Sequence, residues 1–147
     1  MSDKIIFGEK KEGVVYTNRP GAYVIIFENN KVALVKTSTG YFLPGGGIDN
    51  GESHKECLYR EAIEELGWEI EIGDCLGNAL NFFFATDTNK DTIMDGHFYL
   101  VKKIKEIAAP TAPDHQTVWL NYQEAIDKMW HPSQSWAIKE AYKKISQ

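Results

Sequence analysis

Cysteine and long apolar runs are what this chain of 147 residues has least of. Its two cysteines, Cys57 and Cys75, show no metal-type spacing and are too few for a disulfide framework, so both read as free thiols. No stretch approaches the roughly 18 consecutive apolar residues of a membrane span. The opening MSDKIIFGEKKEG puts charges on both sides of a short apolar run, so it is not expected to act as a signal peptide. A basic surplus is also missing: 16 Lys and Arg face 21 Asp and Glu, for a net charge of -5. That excludes the electrostatic footprint of a nucleic-acid polymer binder, and Lys102, Lys103, Lys105, Lys143 and Lys144 read as solvated faces. The four histidines, at 54, 97, 115 and 131, supply no pair at ligand spacing on one helix. His54 reads as exposed, and His115, in a proline-containing loop, as able to face a site. The expectation is a cytoplasmic protein with no membrane and no nucleic-acid polymer as partner.

With 43% hydrophobic and 25% charged residues, the composition is that of a soluble globular protein. Residues 1–147 are expected to form a single domain, since no repeat or linker divides the chain and its length allows a real core. Short strands are predicted over residues 4–7 and 13–17, with a turn at Arg19, Pro20 and Gly21. Residues 22–27 and 32–35 form a predicted hairpin across Glu28, Asn29 and Asn30, buried on both faces. A turn over 37–40 leads to a short strand at 41–43. Farther on, alternation at 68–72, an apolar run at 75–85, a polar loop at 86–96 and a strand at 97–101 are read. A loop over 108–116, a strand over 118–120, a helix over 123–129 and a last helix from Pro132 or Ser135 complete the chain. That helix sets Ile138, Ala141, Tyr142 and Ile145 on one face. The order implies an α/β (α+β) architecture, a mixed sheet with helices on both sides. A base could stack on Phe82, Phe83, Phe84, Tyr41 or Trp119, but these and Trp136 are assigned to the core.

The chemistry concentrates between residues 46 and 68, GGIDNGESHKECLYREAIEELGW. A glycine-rich loop runs into a helix on which Glu61, Glu64 and Glu65 fall along one stripe. Like charges three and four residues apart repel, so a cation is expected beside them. Carboxylate oxygens suit Mg²⁺, or Mn²⁺ in its place, bridging to phosphates. Ser53 with Glu56 three residues on forms a capping box, and Gly67 sits where a left-handed cap ends the helix. Leu58, Ala62 and Leu66, flanked by Tyr59 and Ile63, offer an apolar face away from the charges. Two rival readings of the glycines fail. A Walker A loop needs Gly-Lys-Ser/Thr where Gly51 is followed by Glu52, and a dinucleotide fingerprint from Gly45 needs glycine at Asn50.

Gly46, Glu52, Arg60, Glu61, Glu64, Glu65 and Gly67, with apolar Ala62 and Trp68, resemble the signature G-x5-E-x7-R-E-U-x-E-E-x-G-U of the Nudix hydrolase superfamily, MutT-like members included. Ala62 is small for its place, where U is a bulky apolar residue. The resemblance implies a Nudix-type α/β/α sandwich with a mixed sheet, and Mg²⁺-dependent cleavage of a phosphoanhydride bond in a nucleoside di- or triphosphate derivative. It further implies that Glu61, Glu64, Glu65 and the Gly45 carbonyl hold the metal; the general base is one of the glutamates, which differs among family members, and Glu61 is the expectation for this chain. Arg60 and Glu52 are implied as an orienting pair, with Gly46 and Gly47 against the substrate. A further ligand is sought among Asp114, Asp91 and Asp95, and a monomer or homodimer is expected. The alternatives are a catalytically silent Nudix-like sensor of nucleotides or an isoprenoid diphosphate isomerase. The first would lose motif acids, all present here, and the second would need catalytic Cys and Glu residues outside the motif.

Overall fold

The architecture is that of a computed structural model, which describes residues 5–146. Its frame is a pair of long antiparallel strands, β7 (Trp68–Ala85) and β8 (Lys90–Glu106), joined by a turn at residues 86–89. The remaining elements are β1 (Ile5–Phe7), β2 (Thr17–Ile25), β3 (Phe27–Glu28), β4 (Lys31–Lys36), β5 (Tyr41–Phe42), β6 (Gly45–Gly47), α1 (His54–Glu61), a π-helical turn (Ala62–Leu66), β9 (Gln116–Asn121), α2 (Tyr122–Lys128) and α3 (Pro132–Ile145). The main sheet is mixed, in the order β1-β7-β8-β2-β6, with β1 and β2 parallel to their long neighbours. A smaller sheet joins β3, β4 and β5, with β9 also pairing β4.

Side-chain alternation places the helices. In β2 and just after it, Ala22, Val24 and Ile26 pack in one cluster with Leu58, Ala62 and Leu66, whereas Ile25 packs in another with Ala137, Ile138 and Ala141 of α3. In β4, Ala33 and Val35 join the first cluster, Val32 and Leu34 the second. Period two thus splits each buried strand between two helical layers, giving the expected α/β/α sandwich. The hairpin between β3 and β4 turns at Asn29 and Asn30, both at positive φ (51° and 64°), the conformation a two-residue hairpin demands.

Several sequence expectations are corrected. Arg19, Pro20 and Gly21 do not turn; they lie inside β2. Pairing with β6 begins at Gly21, so on that side Pro20 has no strand partner requiring an N–H, and its carbonyl accepts from Ile48 N at 3.0 Å. Residues 13–16 are not strand, and residue 4 lies outside the described residues. The segments 68–72 and 75–85 form one strand, since register shifts between Ile72 and Cys75 and between Cys75 and Gly77 bend the ladder without ending it. The polar loop at 86–96 shrinks to its first four residues: Thr92, Met94, Gly96 and Phe98 are buried in alternation, a strand pattern carried by polar residues. Tyr59 and Ile63 do not flank the buried face of α1; they are 45% and 44% exposed. In α3, Ile138 and Ala141 are buried and Tyr142 stacks on Tyr122 at 3.9 Å, while Ile145 is exposed.

Candidate active site

The helix that carries the carboxylates is fixed at both ends by local chemistry. Ser53 Oγ accepts from Glu56 N at 3.1 Å, and a Glu56 carboxylate oxygen accepts from Ser53 N at 3.0 Å, closing the expected capping box. At the far end Gly67 caps in the left-handed region (φ 74°), where a Cβ would collide with the Ala108 carbonyl. Between them the helix widens: Gly67 N donates to Ala62 O at 2.9 Å, five residues back, the bond of a π turn. Nothing in the apolar periodicity announces this. Glu64 O then faces the following loop, accepting from Thr111 N at 2.8 Å and Ala112 N at 3.2 Å.

The three glutamates on this helix have different surroundings. Glu65 is 8% exposed and accepts from Gly45 N at 2.7 Å, while its other oxygen lies 2.9 Å from His115 Nδ1. Burial pushes its carboxyl up to about 8; the Gly45 N–H opposes the rise, and the charges of Glu61 and Glu64 add to it. Glu61 lies against Gly46, where a Cβ would stand 2.9 Å from its carboxyl, so a side chain at this position would displace that carboxyl. Burial also raises the Glu61 carboxyl, opposed by Arg60. Glu64 is exposed.

Arg60 is the hub. Its Nε and Nη2 take both oxygens of Glu52 at 2.6 and 2.9 Å, in the expected forked pair. Nη1 reaches Glu61 at 2.8 Å and Glu64 at 3.2 Å, and Nη2 the Gly47 carbonyl at 3.1 Å. The Arg60 hydrogen bonds, helped by the Asp49 N–H, hold Glu52 down to about 2. Cys57 is buried beneath the loop, its thiol pushed up to about 11 chiefly by burial, and Cys75 is exposed; both are free thiols.

A cleft of about 350 Å³ runs alongside. Gly45, Gly46, Gly47, Glu65, His115 and Arg19 line it, together with Phe42, Phe83, Trp130 and His131. His131 meets Phe83 at 4.6 Å, Trp130 at 4.7 Å and Phe42 at 5.7 Å between ring centroids, each edge to face. His115 thus faces the site. Phe83, assigned to the core, lines the cleft, and Phe84 is 45% exposed, whereas Phe82 is buried and Trp119 stacks on Trp68 at 5.7 Å. His54 is half-buried, with Nδ1 2.9 Å from Tyr99 Oη. Arg19, Phe42, Trp130 and His131 had no signal in the sequence, because three separate segments bring them together.

The proposed extra acids do not join the glutamates. Asp114 turns to Ser38, whose Oγ donates to it at 3.1 Å. Thr92 and Met94 line the cleft, so the alternating Asp91 and Asp95 project from the opposite face of β8, and Asn78 donates to Asp95 at 2.7 Å. Among the described residues, no three His, Cys, Asp or Glu side chains converge on one metal position. Glu61 and Glu64 converge on Arg60 instead, and Glu65 on Gly45 and His115. None of the described helices is long and apolar enough to cross a membrane.

The family model described as NUDIX domain matches residues 17–141. Nudix hydrolase 16, mitochondrial, of Arabidopsis thaliana is 30% identical over 122 residues, covering 76% of this chain and 65% of that protein. A Bacillus subtilis protein provisionally named 8-oxo-dGTP diphosphatase is 32% identical over 87 residues, covering 52% of this chain and 58% of its own length. The chain therefore spans less than two thirds of either relative. In fold it is similar to a NUDIX hydrolase from Nitrosomonas europaea, with a TM-score of 0.73 at 14% identity over 87% of this chain and 90% of that one.

Proposed function

The chain belongs to the Nudix family, and from that premise we propose that it is a pyrophosphohydrolase cleaving a phosphoanhydride bond in a nucleoside di- or triphosphate derivative with a divalent cation. The observation that carries the reading is the desolvated Glu65, held by the Gly45 N–H at the edge of a cleft, with Glu61 and Glu64 raising its proton affinity further. Carboxylates crowded in this way are stabilised by a nearby cation, and a set of oxygen donors suits Mg²⁺, with Mn²⁺ as substitute. Glu61, Glu64, Glu65 and the Gly45 carbonyl would hold it. Bound there, it would neutralise phosphate charge and acidify water.

The chain's own residues then have distinct tasks. Glu61, raised by burial and steadied by Arg60, takes the proton of the attacking water. Arg60 and Glu52 fix the loop against the helix, and Gly46 and Gly47 let phosphate oxygens approach the backbone. Arg19, on the cleft wall, supplies positive charge for the diphosphate. The relative named for 8-oxo-dGTP makes an oxidised purine triphosphate one substrate to try. A single domain, a cytoplasmic location and action as a monomer or homodimer belong to the same proposal. The test is incubation of the purified chain with a nucleotide panel and Mg²⁺, identifying products by ³¹P NMR. Nucleoside monophosphate with pyrophosphate or phosphate is expected; no turnover by folded protein with any member would sink the reading.

A further inference from the structure

Among the described residues two buried side-chain polar atoms have no hydrogen-bond partner, Nδ1 of His131 and Oγ of Ser133. Of the two residues only His131 lines the cleft, although it is just 6% exposed. It stands at the N-cap of α3, where its carbonyl accepts from Gln134 N at 3.0 Å, yet its side chain makes no capping bond. Its ring is enclosed by the edges and faces of Phe42, Phe83 and Trp130, a nest that a phenyl ring would fill without stranding a nitrogen. Neither packing nor capping uses the imidazole nitrogens, and a polar group that costs stability without a structural return marks a functional position.

The chemistry of the ring narrows what it can recognise. Burial lowers its proton affinity to about 4, so at neutral pH the ring is uncharged and carries one N–H. An unpaired buried donor is rarer than an unpaired acceptor. The proton is therefore assigned to Nε2, leaving the buried, unpartnered Nδ1 with the lone pair. Trp130 stands beside it, 39% exposed, with ring surface free to stack on a planar heterocycle.

We propose that His131 determines base specificity, donating from Nε2 to a ring carbonyl of a base seated against Trp130, so that oxo bases such as guanine are preferred over amino bases such as adenine. This rests on the nucleotide-hydrolase reading of the cleft, but its test need not. Binding of GMP and AMP, which have no anhydride to cleave, is measured by calorimetry on the full chain. The wild-type protein is expected to bind GMP about tenfold more tightly than AMP, the worth of one neutral hydrogen bond. His131→Phe should erase that difference by weakening GMP alone, while melting at the same temperature or higher. His131→Gln, which can present an N–H at similar reach, should retain part of it, and Trp130→Ala should weaken both nucleotides by about tenfold or more.

Equal affinities in the wild type overturn the proposal, as does a GMP preference that survives in His131→Phe. If His131→Phe does not fold, the outcome passes to His131→Gln and Trp130→Ala: unchanged affinities in both overturn it. GMP-selective binding without hydrolysis of any triphosphate would defeat the enzymatic reading and leave this one standing.

Discussion

The loop and helix of residues 45–65 form a charged wall beside the cleft, of which Glu65 lines the cavity itself, and its acids are paired. Arg60 takes Glu52, Glu61 and Glu64, and Glu65 has the Gly45 N–H and His115. On the wall built from Phe42, Phe83, Trp130 and His131, aromatic contacts hold the structure and a ring nitrogen is left without a partner. The first wall is organised by ion pairs that pre-position charge, the second by apolar packing that leaves polar capacity unspent. Phosphoryl chemistry needs the former, because its transition state is stabilised mainly by charge and position. Discrimination between planar groups of similar size needs the latter.

The contrast is tested most severely at Glu65 and Glu64. Glu65→Gln or Glu64→Gln is expected to lower Mg²⁺-dependent turnover by about a hundredfold or more while the melting temperature changes little. Normal activity in both variants would remove the charged wall from the mechanism. Next comes Arg60→Met, which leaves Glu52, Glu61 and Glu64 without their common partner. Its Tm should fall by about 5 °C in chelator, and added Mg²⁺ should narrow the gap. A gap that Mg²⁺ leaves untouched would mean that these acids do not share a cation site.

The two walls should also respond oppositely to pH. Glu65 titrates near 8 in the folded chain and near 4.5 in the unfolded one, so its contribution is complete below 4.5 and is lost as pH rises through about 8. His131 titrates near 4 folded and 6.5 unfolded, so its contribution is complete above 6.5 and is lost as pH falls through about 4. Each slope can reach about 1.4 kcal/mol per pH unit. Chemical denaturation without metal should show the alkaline loss removed in Glu65→Gln and the acid loss removed in His131→Phe. If either slope persists in its variant, the assignment to that wall is wrong. The smallest effect is expected at Ser53→Ala, which opens the capping box at a cost of about 1 kcal/mol. Metal dependence should be unchanged.

The same contrast explains what could be read from the sequence. The charged wall spans about twenty consecutive positions, so spacing alone put Arg60, Glu52 and the glutamates on one helix and its loop, and capping rules placed Ser53 and Gly67. The hairpin at Asn29 and Asn30 and the double-sided burial of β4 were legible for the same local reason. The aromatic wall draws on positions 42, 83, 130 and 131, which only the closed sandwich makes neighbours. No window of sequence contains them, and Phe83 looked like any buried strand residue. Polar composition hid the first half of β8, where Thr92 and Gly96 occupy the buried register. The π turn was hidden because it leaves the apolar spacing and the cap at Gly67 unchanged.

That turn has a dynamic consequence. Glu64 O, one of the last carbonyls of the helix, finds its donors in Thr111 and Ala112, and His115 of the same segment lies 2.9 Å from Glu65. Freeing residues 107–115 would therefore take a cap from the helix and a partner from the buried carboxylate together. Loop opening and loosening of the carboxylate are then one cooperative event, and amide protons of Gly67, Thr111 and Ala112 should exchange with deuterium at a common rate. Separate rates would show that the loop moves on its own.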